Sequence, residues 1–420
     1  MKCKVSKSTL SGKISCPPNK SYTHRAVFLA SLAKGKSTIR NVLLSRDTLA
    51  TINACRVFGA KITVDGSTVN VESTGNVSPI GTEIDASNSG TTIRISSAIS
   101  ALSDSKITLT GDSSLKKRPM EPLLDALGKL GARCTSTNGT PPLTVMGKIR
   151  GGNTSISGSV SSQFISALLI AAPKTENGIT LDIEGDLVSK PYLDATIATM
   201  KKFGASVDVI TPYKKYHIPR QDYNPTDFTV PADFSSMALL LSAAVLVGNN
   251  MEISAPIGDL PQGDKEMMTH LEKMGVKISI GDTVRVTVPS KLSGGRFDLS
   301  NTPDLLPPMA ILSLRALNPI EIYNVRHARF KETDRIAILA KELSKIGVIV
   351  TEKEDGLILK APESFTGAEL DSADDHRLFM AFCIAGMFVG DCTVTDPESV
   401  DVSYPDFIKE MNRIGAKISV

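Results

Sequence analysis

An apolar residue followed by glycine and then alanine or valine recurs six times along the 420-residue chain. Successive glycines of this repeat lie 72, 73, 71, 72 and 68 residues apart, at Gly59, Gly131, Gly204, Gly275, Gly347 and Gly415. In five copies a lysine or arginine stands two residues earlier, as Lys129 does before Gly131. A cation followed by glycine is typical of a helix C-terminus, where glycine adopts a left-handed conformation. We therefore predict six units, each with a helix that ends at the glycine and a strand that follows it.

A second repeat consists of a polar helix start followed by a helix that is apolar on all sides. These starts lie 68, 73, 72, 71 and 70 residues apart, at Lys20, Asn88, Ser161, Asp233, Asp304 and Asp374. A helix without a polar face must be buried on every side. Each unit then contains one buried helix, one amphipathic helix and several short strands. Such a unit cannot bury its apolar helix alone, so we predict an α/β fold in which the units pack together.

The repeat count also predicts the domain organisation. Three units per globular domain is the natural arrangement at this length. A proline-rich stretch without periodicity ends near residue 231, so we assign repeats one to three to residues 19–230 and repeats four to six to residues 231–420. Chain crossings near 16–20 and 228–232 would form a hinge. The first strand, predicted over Lys4–Ile14, precedes the first buried helix and could pair in either triplet.

Composition excludes several classes of function. The net charge is +3 and aromatic residues make up only 5% of the chain, so a stacking platform for nucleic acid is not expected. The longest apolar runs are about half of what a bilayer requires, and no signal region opens the sequence. Six scattered cysteines suggest reduced thiols in a cytoplasmic protein, and no His or Cys spacing suggests a metal site. We expect a monomer without metal or cofactor.

The helix starts are the candidate binding sites, because a helix N-terminus offers unpaired N–H groups and partial positive charge. Cations stand at equivalent starts in several repeats: Lys20, Arg25, Arg94, Arg118, Lys331, Arg335 and Arg377. If the repeats align their helices, these side chains converge on one face of each domain. Two such faces across a hinge would make a positively charged cleft for a ligand with several negative charges.

Two carboxylates stand among these cations. Asp304 follows Asn301-Thr302-Pro303 at an apolar helix start, and Glu332 lies between Lys331 and Arg335. Either could be a helix N-cap, which stabilises a helix by about 1 kcal/mol. Either could instead transfer protons beside a bound anion. The positions alone leave both interpretations open.

The helix-start motifs, taken in order, resemble those of the 5-enolpyruvylshikimate-3-phosphate synthase family over the whole chain. The matching segments are Asn19-Lys20-Ser21 with Arg25, Asn88-Ser89-Gly90-Thr91-Thr92-Ile93-Arg94, Lys117-Arg118-Pro119, Ser161-Ser162-Gln163, Ser189-Lys190-Pro191-Tyr192, Lys331-Glu332-Thr333-Asp334-Arg335 and Asp374-Asp375-His376-Arg377. The resemblance implies a two-domain inside-out α/β barrel, the enolpyruvyl transferase fold, with three βαβαββ units per domain. It places residues 1–18 with 231–420.

The implied reaction moves the enolpyruvyl group of phosphoenolpyruvate to the 5-hydroxyl of shikimate 3-phosphate and releases phosphate. This is a late step of chorismate and aromatic amino-acid biosynthesis, and it requires neither metal nor cofactor. By matched position, the residues implied for shikimate 3-phosphate are Lys20, Ser21, Arg25, Ser161, Ser162, Gln163, Ser189, Tyr192, Asp304 and Lys331. Those implied for phosphoenolpyruvate are Lys20, Gly90, Arg118, Gln163, Arg335 and Arg377. Asp304, Glu332 and Lys20 are implied in the chemistry, and glyphosate is the inhibitor of the family.

The sequence departs from the family pattern at three positions. Val402 stands where a lysine commonly contacts phosphoenolpyruvate, Ile95 where proline is common, and His327 where some members have asparagine.

The nearest alternative is a UDP-N-acetylglucosamine enolpyruvyl transferase, which uses a cysteine in the loop that corresponds to Gly111–Lys117. This loop contains no cysteine. A more distant alternative is a non-catalytic repeat protein that binds anions or RNA; it would need a basic surface rather than a hinged cleft.

Overall fold

In the computed structural model, which describes all 420 residues, the six repeated glycines have left-handed backbone, with φ from +82° to +111°. Each glycine lies just beyond the end of a helix, and a strand begins within four residues of it. The predicted helix ends and following strands are therefore confirmed. No helix in the chain combines the length and the apolar character that a membrane span needs.

The chain divides into two compact units. The terminal unit comprises Met1–Pro17, Ala232–Gly258 and Gly263–Val420, and the middle unit comprises Pro18–Pro231 and Asp259–Gln262. Residues 259–262 were predicted to belong with the terminal segments. They group with the middle unit because the Tyr22 hydroxyl donates to the Pro261 carbonyl at 2.6 Å and the Asn19 amide donates to Gln262 at 2.7 Å.

The N-terminal segment differs from the prediction. In place of one strand over Lys4–Ile14, it forms β1 (Lys2–Ser6) and β2 (Leu10–Ser15). The Ser8 hydroxyl donates to the Ser6 carbonyl at 2.7 Å between them, which turns the chain and separates the two strands. Both strands belong to the terminal unit.

The middle unit contains the first three repeats. The first comprises α1 (Lys20–Leu32), β3 (Lys34–Arg40), α2 (Arg46–Val57), β4 (Lys61–Asp65) and β5 (Thr68–Thr74). The second comprises β6 (Glu83–Asp85), α3 (Gly90–Ser100), β7 (Ile107–Thr110), α4 (Glu121–Lys129), β8 (Arg133–Thr137) and β9 (Thr140–Met146). The third comprises β10 (Gly152–Ser157), α5 (Ser162–Ala171), β11 (Ile179–Glu184), α6 (Lys190–Lys202), β12 (Asp208–Thr211) and β13 (Lys215–Ile218), and β14 (Phe228–Thr229) follows.

The terminal unit contains the other three repeats. The fourth comprises α7 (Phe234–Val247), β15 (Gly248–Ser254), α8 (Glu266–Lys273), β16 (Lys277–Ile280) and β17 (Val284–Thr287). The fifth comprises β18 (Gly295–Asp298), α9 (Leu306–Ile311), β19 (Ile320–Tyr323), α10 (Arg335–Lys345), β20 (Ile349–Lys353) and β21 (Gly356–Lys360). The sixth comprises β22 (Glu369–Leu370), α11 (His376–Val389), β23 (Cys392–Thr395), α12 (Phe407–Arg413) and β24 (Lys417–Ser419).

Each repeat builds one four-stranded sheet, so there are six sheets with a common order. In the second repeat the order is β6-β7-β9-β8, with β6 parallel to β7 and the remaining pairs antiparallel. Strands from distant parts of the chain complete three of the sheets: β14 in the first repeat, β2 in the fourth and β1 in the sixth. Each repeat is therefore a βαβαββ unit once these exchanged strands are included.

The buried helices form the core of each unit. All fourteen residues of α7 are buried, and α1, α3, α5 and α11 are buried along nearly their whole length. Polar helix starts within one unit contact one another: Arg335 at the start of α10 donates to Asp375 at the start of α11, and Arg94 on α3 donates to Gln163 at the start of α5. This arrangement positions the candidate site residues.

Candidate active site

In the terminal unit, a single arginine connects three carboxylates. Arg335 is only 1% exposed, and its guanidinium bonds Asp304 at 2.8 Å, Glu332 at 2.8 Å and Asp375 at 2.7 Å. Buried charges are stable only when they are paired and hydrogen-bonded, and this cluster meets that requirement. Asp375 was not among the predicted site residues. Its position as N-cap of α11, where it accepts from the Arg377 N–H, is the sequence signal that could have indicated it.

Asp304 lies among three cations. Besides Arg335, its carboxylate contacts Arg377 Nη2 at 3.3 Å and Lys331 Nζ at 3.7 Å. Burial alone would raise the pKa of Asp304, but Arg377, Lys331 and Arg335 together hold it well below its usual range. Asp304 is therefore ionised at neutral pH and can accept hydrogen bonds from a ligand.

The N-cap interpretation of the two carboxylates is wrong. Asp304 lies inside a 3-10 turn, Pro303–Leu305, and the N-cap positions of this turn and of α9 are Thr302 and Leu305. Asp334, rather than Glu332, caps α10 by accepting from the Ala337 N–H at 3.0 Å. Both Asp304 and Glu332 instead direct their carboxylates to Arg335.

In the middle unit, cations surround the start of α3. An added Cβ on Gly90 would lie 3.0 Å from Arg94 Nη1 and 3.1 Å from Arg118 Nη1. Arg94 donates to Gln163 Oε1, and Arg118 donates to Asn88 Oδ1 at 2.9 Å. Two guanidinium groups and the N-terminal N–H groups of α3 thus converge beside Gly90, an arrangement suited to a small anion.

Lys20 opens α1 and pairs with a carboxylate that the sequence reasoning missed. Its Nζ lies 3.2 Å from Asp47 Oδ2 in the first turn of α2, and both side chains are largely buried. An acidic residue two positions after the Ser45 N-cap is a recognisable signal, but it is also what a favourable helix start alone would produce.

The remaining predicted residues lie at or near the starts of α1, α5 and α6 of the middle unit. They are Ser21 and Arg25 on α1, Ser161, Ser162 and Gln163 at α5, and Ser189 and Tyr192 at α6. Arg25 links α1 to α6, because it donates to Thr196 Oγ1 at 2.8 Å and to the Tyr192 carbonyl at 3.1 Å. Its role in fixing these helices was not predicted from the sequence.

Comparison with known proteins identifies the class of this fold. The enolpyruvyl transferase NikO from Streptomyces tendae aligns with a TM-score of 0.79 at 19% identity, covering 100% of this chain and 98% of the other. A 2.37 Å structure of EPSP synthase from Acinetobacter baumannii aligns with a TM-score of 0.82 at 25% identity, covering all of both chains. The chain has the enolpyruvyl transferase fold.

Sequence comparison identifies the family. The profile of EPSP synthase (3-phosphoshikimate 1-carboxyvinyltransferase) matches residues 5–411. A 3-phosphoshikimate 1-carboxyvinyltransferase from Nitrosopumilus maritimus is 63% identical over 419 residues, covering 100% of this chain and 99% of the relative. One from Methanocella arvoryzae is 43% identical over 430 residues and covers both chains completely. The chain belongs to the EPSP synthase family.

Proposed function

We propose that this protein transfers the enolpyruvyl group of phosphoenolpyruvate to the 5-hydroxyl of shikimate 3-phosphate, giving 5-enolpyruvylshikimate 3-phosphate and inorganic phosphate. Family membership supports this function. The observation that carries it at the level of the site is the cluster of Asp304 and Glu332 on the buried Arg335. In this cluster, two carboxylates that can accept or donate protons lie next to arginine and lysine side chains that can bind anionic substrates. The protein would serve chorismate and aromatic amino-acid biosynthesis, and we expect a cytoplasmic monomer.

The reaction needs proton transfer in two directions. The 5-hydroxyl oxygen bonds to C2 of phosphoenolpyruvate, its proton leaves, and the C3 methylene takes up a proton to become a methyl group. The tetrahedral intermediate then loses phosphate from C2 and a proton from C3, which restores the double bond. We assign Asp304 to accept the hydroxyl proton and Glu332 to the proton on C3. Lys20 would stabilise charge on the phosphate as it leaves.

The substrates of the proposed reaction carry phosphate and carboxylate groups, so the site must neutralise several negative charges. We assign shikimate 3-phosphate to Lys20, Ser21, Arg25, Ser161, Ser162, Gln163, Ser189, Tyr192, Asp304 and Lys331. We assign phosphoenolpyruvate to Lys20, Gly90, Arg118, Gln163, Arg335 and Arg377. Charge-assisted hydrogen bonds from lysine and arginine to these anions are the strong contacts in such a site.

The direct test is an assay of phosphate released from phosphoenolpyruvate. With shikimate 3-phosphate as acceptor, we expect one phosphate per 5-enolpyruvylshikimate 3-phosphate formed. With UDP-N-acetylglucosamine as acceptor, we expect none, because the loop Gly111–Lys117 lacks a cysteine and burial raises the pKa of Cys134, the most accessible thiol, to about 11. Transfer to the nucleotide sugar would favour the alternative activity.

Substitutions of Lys331 and Arg118 test the two proposed substrate sites separately. Lys331→Ala removes a cation beside the buried Asp304, and loss of such a charged contact weakens binding by about 2–4 kcal/mol. We expect it to weaken shikimate 3-phosphate binding, measured by calorimetry. Arg118→Ala should instead raise mainly the KM for phosphoenolpyruvate. Lys353→Ala is the matched control, since Lys353 pairs with Glu321 at 2.9 Å on an exposed sheet. If calorimetry gave the parent Kd for shikimate 3-phosphate in Lys331→Ala, the assignment of Lys331 to this substrate would be wrong.

Gly90 tests the phosphoenolpyruvate site by steric means. In Gly90→Ala the methyl group would come within 3.0–3.1 Å of Arg94 and Arg118, so both guanidinium groups must move. We expect the KM for phosphoenolpyruvate to rise about tenfold, equivalent to about 1.4 kcal/mol. Inhibition by glyphosate, which is longer than phosphoenolpyruvate, should weaken more. Parallel titrations with both ligands measure this difference, and an equal loss for both would contradict it.

A further inference from the structure

A continuous chain of buried hydrogen bonds crosses the first three helices of the middle unit. His24 Nδ1 on α1 lies 2.7 Å from Thr51 Oγ1 on α2, and Thr51 Oγ1 lies 2.6 Å from Thr92 Oγ1 on α3. Thr92 in turn donates to Ser89 Oγ, the N-cap of α3, at 2.7 Å. All four side chains are at most 1% exposed. We call this set the His24 network.

The network lies directly beneath the groups assigned to phosphoenolpyruvate. His24 follows Lys20 by four residues on α1, and Thr51 follows Asp47 by four residues on α2. Residues four apart share one face of a helix, so the His24–Thr51 contact lies one turn below the Lys20–Asp47 pair. On α3, Ser89 immediately precedes Gly90 and accepts from the Thr92 N–H at 3.1 Å. The network therefore reaches all three helix starts.

The protonation state of His24 determines which group donates and which accepts at each hydrogen bond of the network. Burial, with Lys20 and Arg25 nearby, holds the pKa of His24 well below its usual range, so the imidazole is neutral. Its Nε2 is buried without a protein hydrogen-bond partner. A buried N–H donor without a partner is less tolerable than an acceptor, which places the proton on Nδ1. His24 then donates to Thr51, Thr51 to Thr92 and Thr92 to Ser89, and each of the two threonine hydroxyls both accepts and donates.

We propose that the His24 network is a positioning device for phosphoenolpyruvate, with Thr51 and Thr92 as its central links. The proposal rests on the function proposed above. The network fixes the starts of α1, α2 and α3 against one another, so that Lys20 and the N–H groups beside Gly90 keep their spacing around one anion. None of its hydroxyls is assigned a contact with either substrate.

Apart from Lys20, which is assigned to both substrates, the shikimate 3-phosphate residues on α5 and α6 and Arg25 are held by separate contacts. Arg25 joins α1 to α6 through Thr196 and the Tyr192 carbonyl, and the Ser166 and Thr196 hydroxyls lie 2.8 Å apart between α5 and α6. Loss of the His24 network would leave these bonds in place. The defect should therefore fall mainly on phosphoenolpyruvate, which is a result that general destabilisation would not give.

The test uses Thr51→Val, which keeps the side-chain shape and removes the central hydroxyl. We expect the KM for phosphoenolpyruvate to rise about tenfold, while kcat and the calorimetric Kd for shikimate 3-phosphate stay within about twofold. Thr51→Ser retains the hydroxyl and should restore the parent KM. Thr199→Val is the matched control, because Thr199 is also fully buried in the middle unit and donates to the Ala195 carbonyl at 2.6 Å.

A double-mutant cycle tests whether Thr51 and Thr92 act through the same network. Thr92→Val breaks the next link, so Thr51→Val combined with Thr92→Val should raise the KM little more than the larger single change. Additive effects, an equal loss of both substrates, or a parent-like KM in Thr51→Val would overturn the proposal. If Thr51→Val does not fold, Thr92→Val with Thr92→Ser as rescue gives the same comparison. Phosphate release by the parent enzyme tests the proposed function separately.

Discussion

Replacing Glu332 with glutamine is expected to lower kcat about a thousandfold while shikimate 3-phosphate still binds. Positioned proton transfer contributes about 10²–10⁴-fold to rates, and glutamine cannot carry the proton that we assign to C3. The substitution preserves shape, and the glutamine carbonyl can still accept from Arg335 Nη2, which lies 2.8 Å from Glu332 in the parent. The loss should therefore be chemical rather than structural.

Steady-state phosphate release gives kcat, and calorimetry with shikimate 3-phosphate reports the integrity of the binding site. Glu321→Gln is the matched control, since Glu321 bonds Arg296 at 2.8 Å and Lys353 at 2.9 Å on β19 of the same unit. We expect that variant to retain parent activity. A kcat for Glu332→Gln within tenfold of the parent would assign the proton on C3 to another group.

Arg335→Met is expected to destabilise the protein by about 3–5 kcal/mol and to abolish phosphoenolpyruvate binding. The change removes the common partner of three carboxylates: Asp375 is fully buried, and Asp304 and Glu332 are 13% and 15% exposed. Breaking a buried ion pair by removing one partner has an effect of this size, because the remaining charge has lost its compensation. Few single substitutions in this chain should have a larger effect on stability.

Equilibrium denaturation measures the first effect and substrate titration the second. Arg296→Met is the control, because Arg296 forms an exposed pair with Glu321 in the same unit and such pairs contribute at most about 1 kcal/mol. Arg335→Lys restores the charge but cannot bond several carboxylates at once, so it should recover stability only in part. Similar unfolding midpoints for Arg335→Met and Arg296→Met would contradict the structural role of Arg335.

The pH dependence of stability should change as well. In the parent the pKa of Asp304 lies well below its usual range, so its ionised form stabilises the protein above about pH 4, the unfolded value. This contribution is lost only as the pH falls through the lowered folded pKa. Arg335 is one of the groups that lower the pKa. In Arg335→Met the pKa of Asp304 moves up, its remaining contribution shrinks, and acid unfolding begins at a higher pH.

The repeat structure could be predicted well from the sequence, because the glycines mark the helix ends directly. Only glycine readily adopts the left-handed conformation that ends these helices, so its spacing indicated all six helix ends. The division near Ser8 escaped prediction, because apolar alternation alone does not distinguish one long strand from two short ones. The contact between Asp304 and Arg335 also escaped prediction, since 31 residues separate the two along the chain. The pairing of Asp47 with Lys20 and the His24 network could not be predicted either, because they consist of contacts between helices that no local sequence pattern indicates.

The exchange of strands between distant repeats has a consequence for the order of folding during synthesis. Strand β1 pairs with β24, so Val5 must wait for Ile418, which is synthesised 413 residues later. Strand β2 likewise waits for β15, which follows the whole middle unit. Pro18–Pro231 can meanwhile assemble three complete sheets from its own residues. The nascent chain therefore carries the three sheets of the middle unit between two unpaired N-terminal strands and the segment still being made, and the Arg335 cluster can form only once Asp375 has been synthesised.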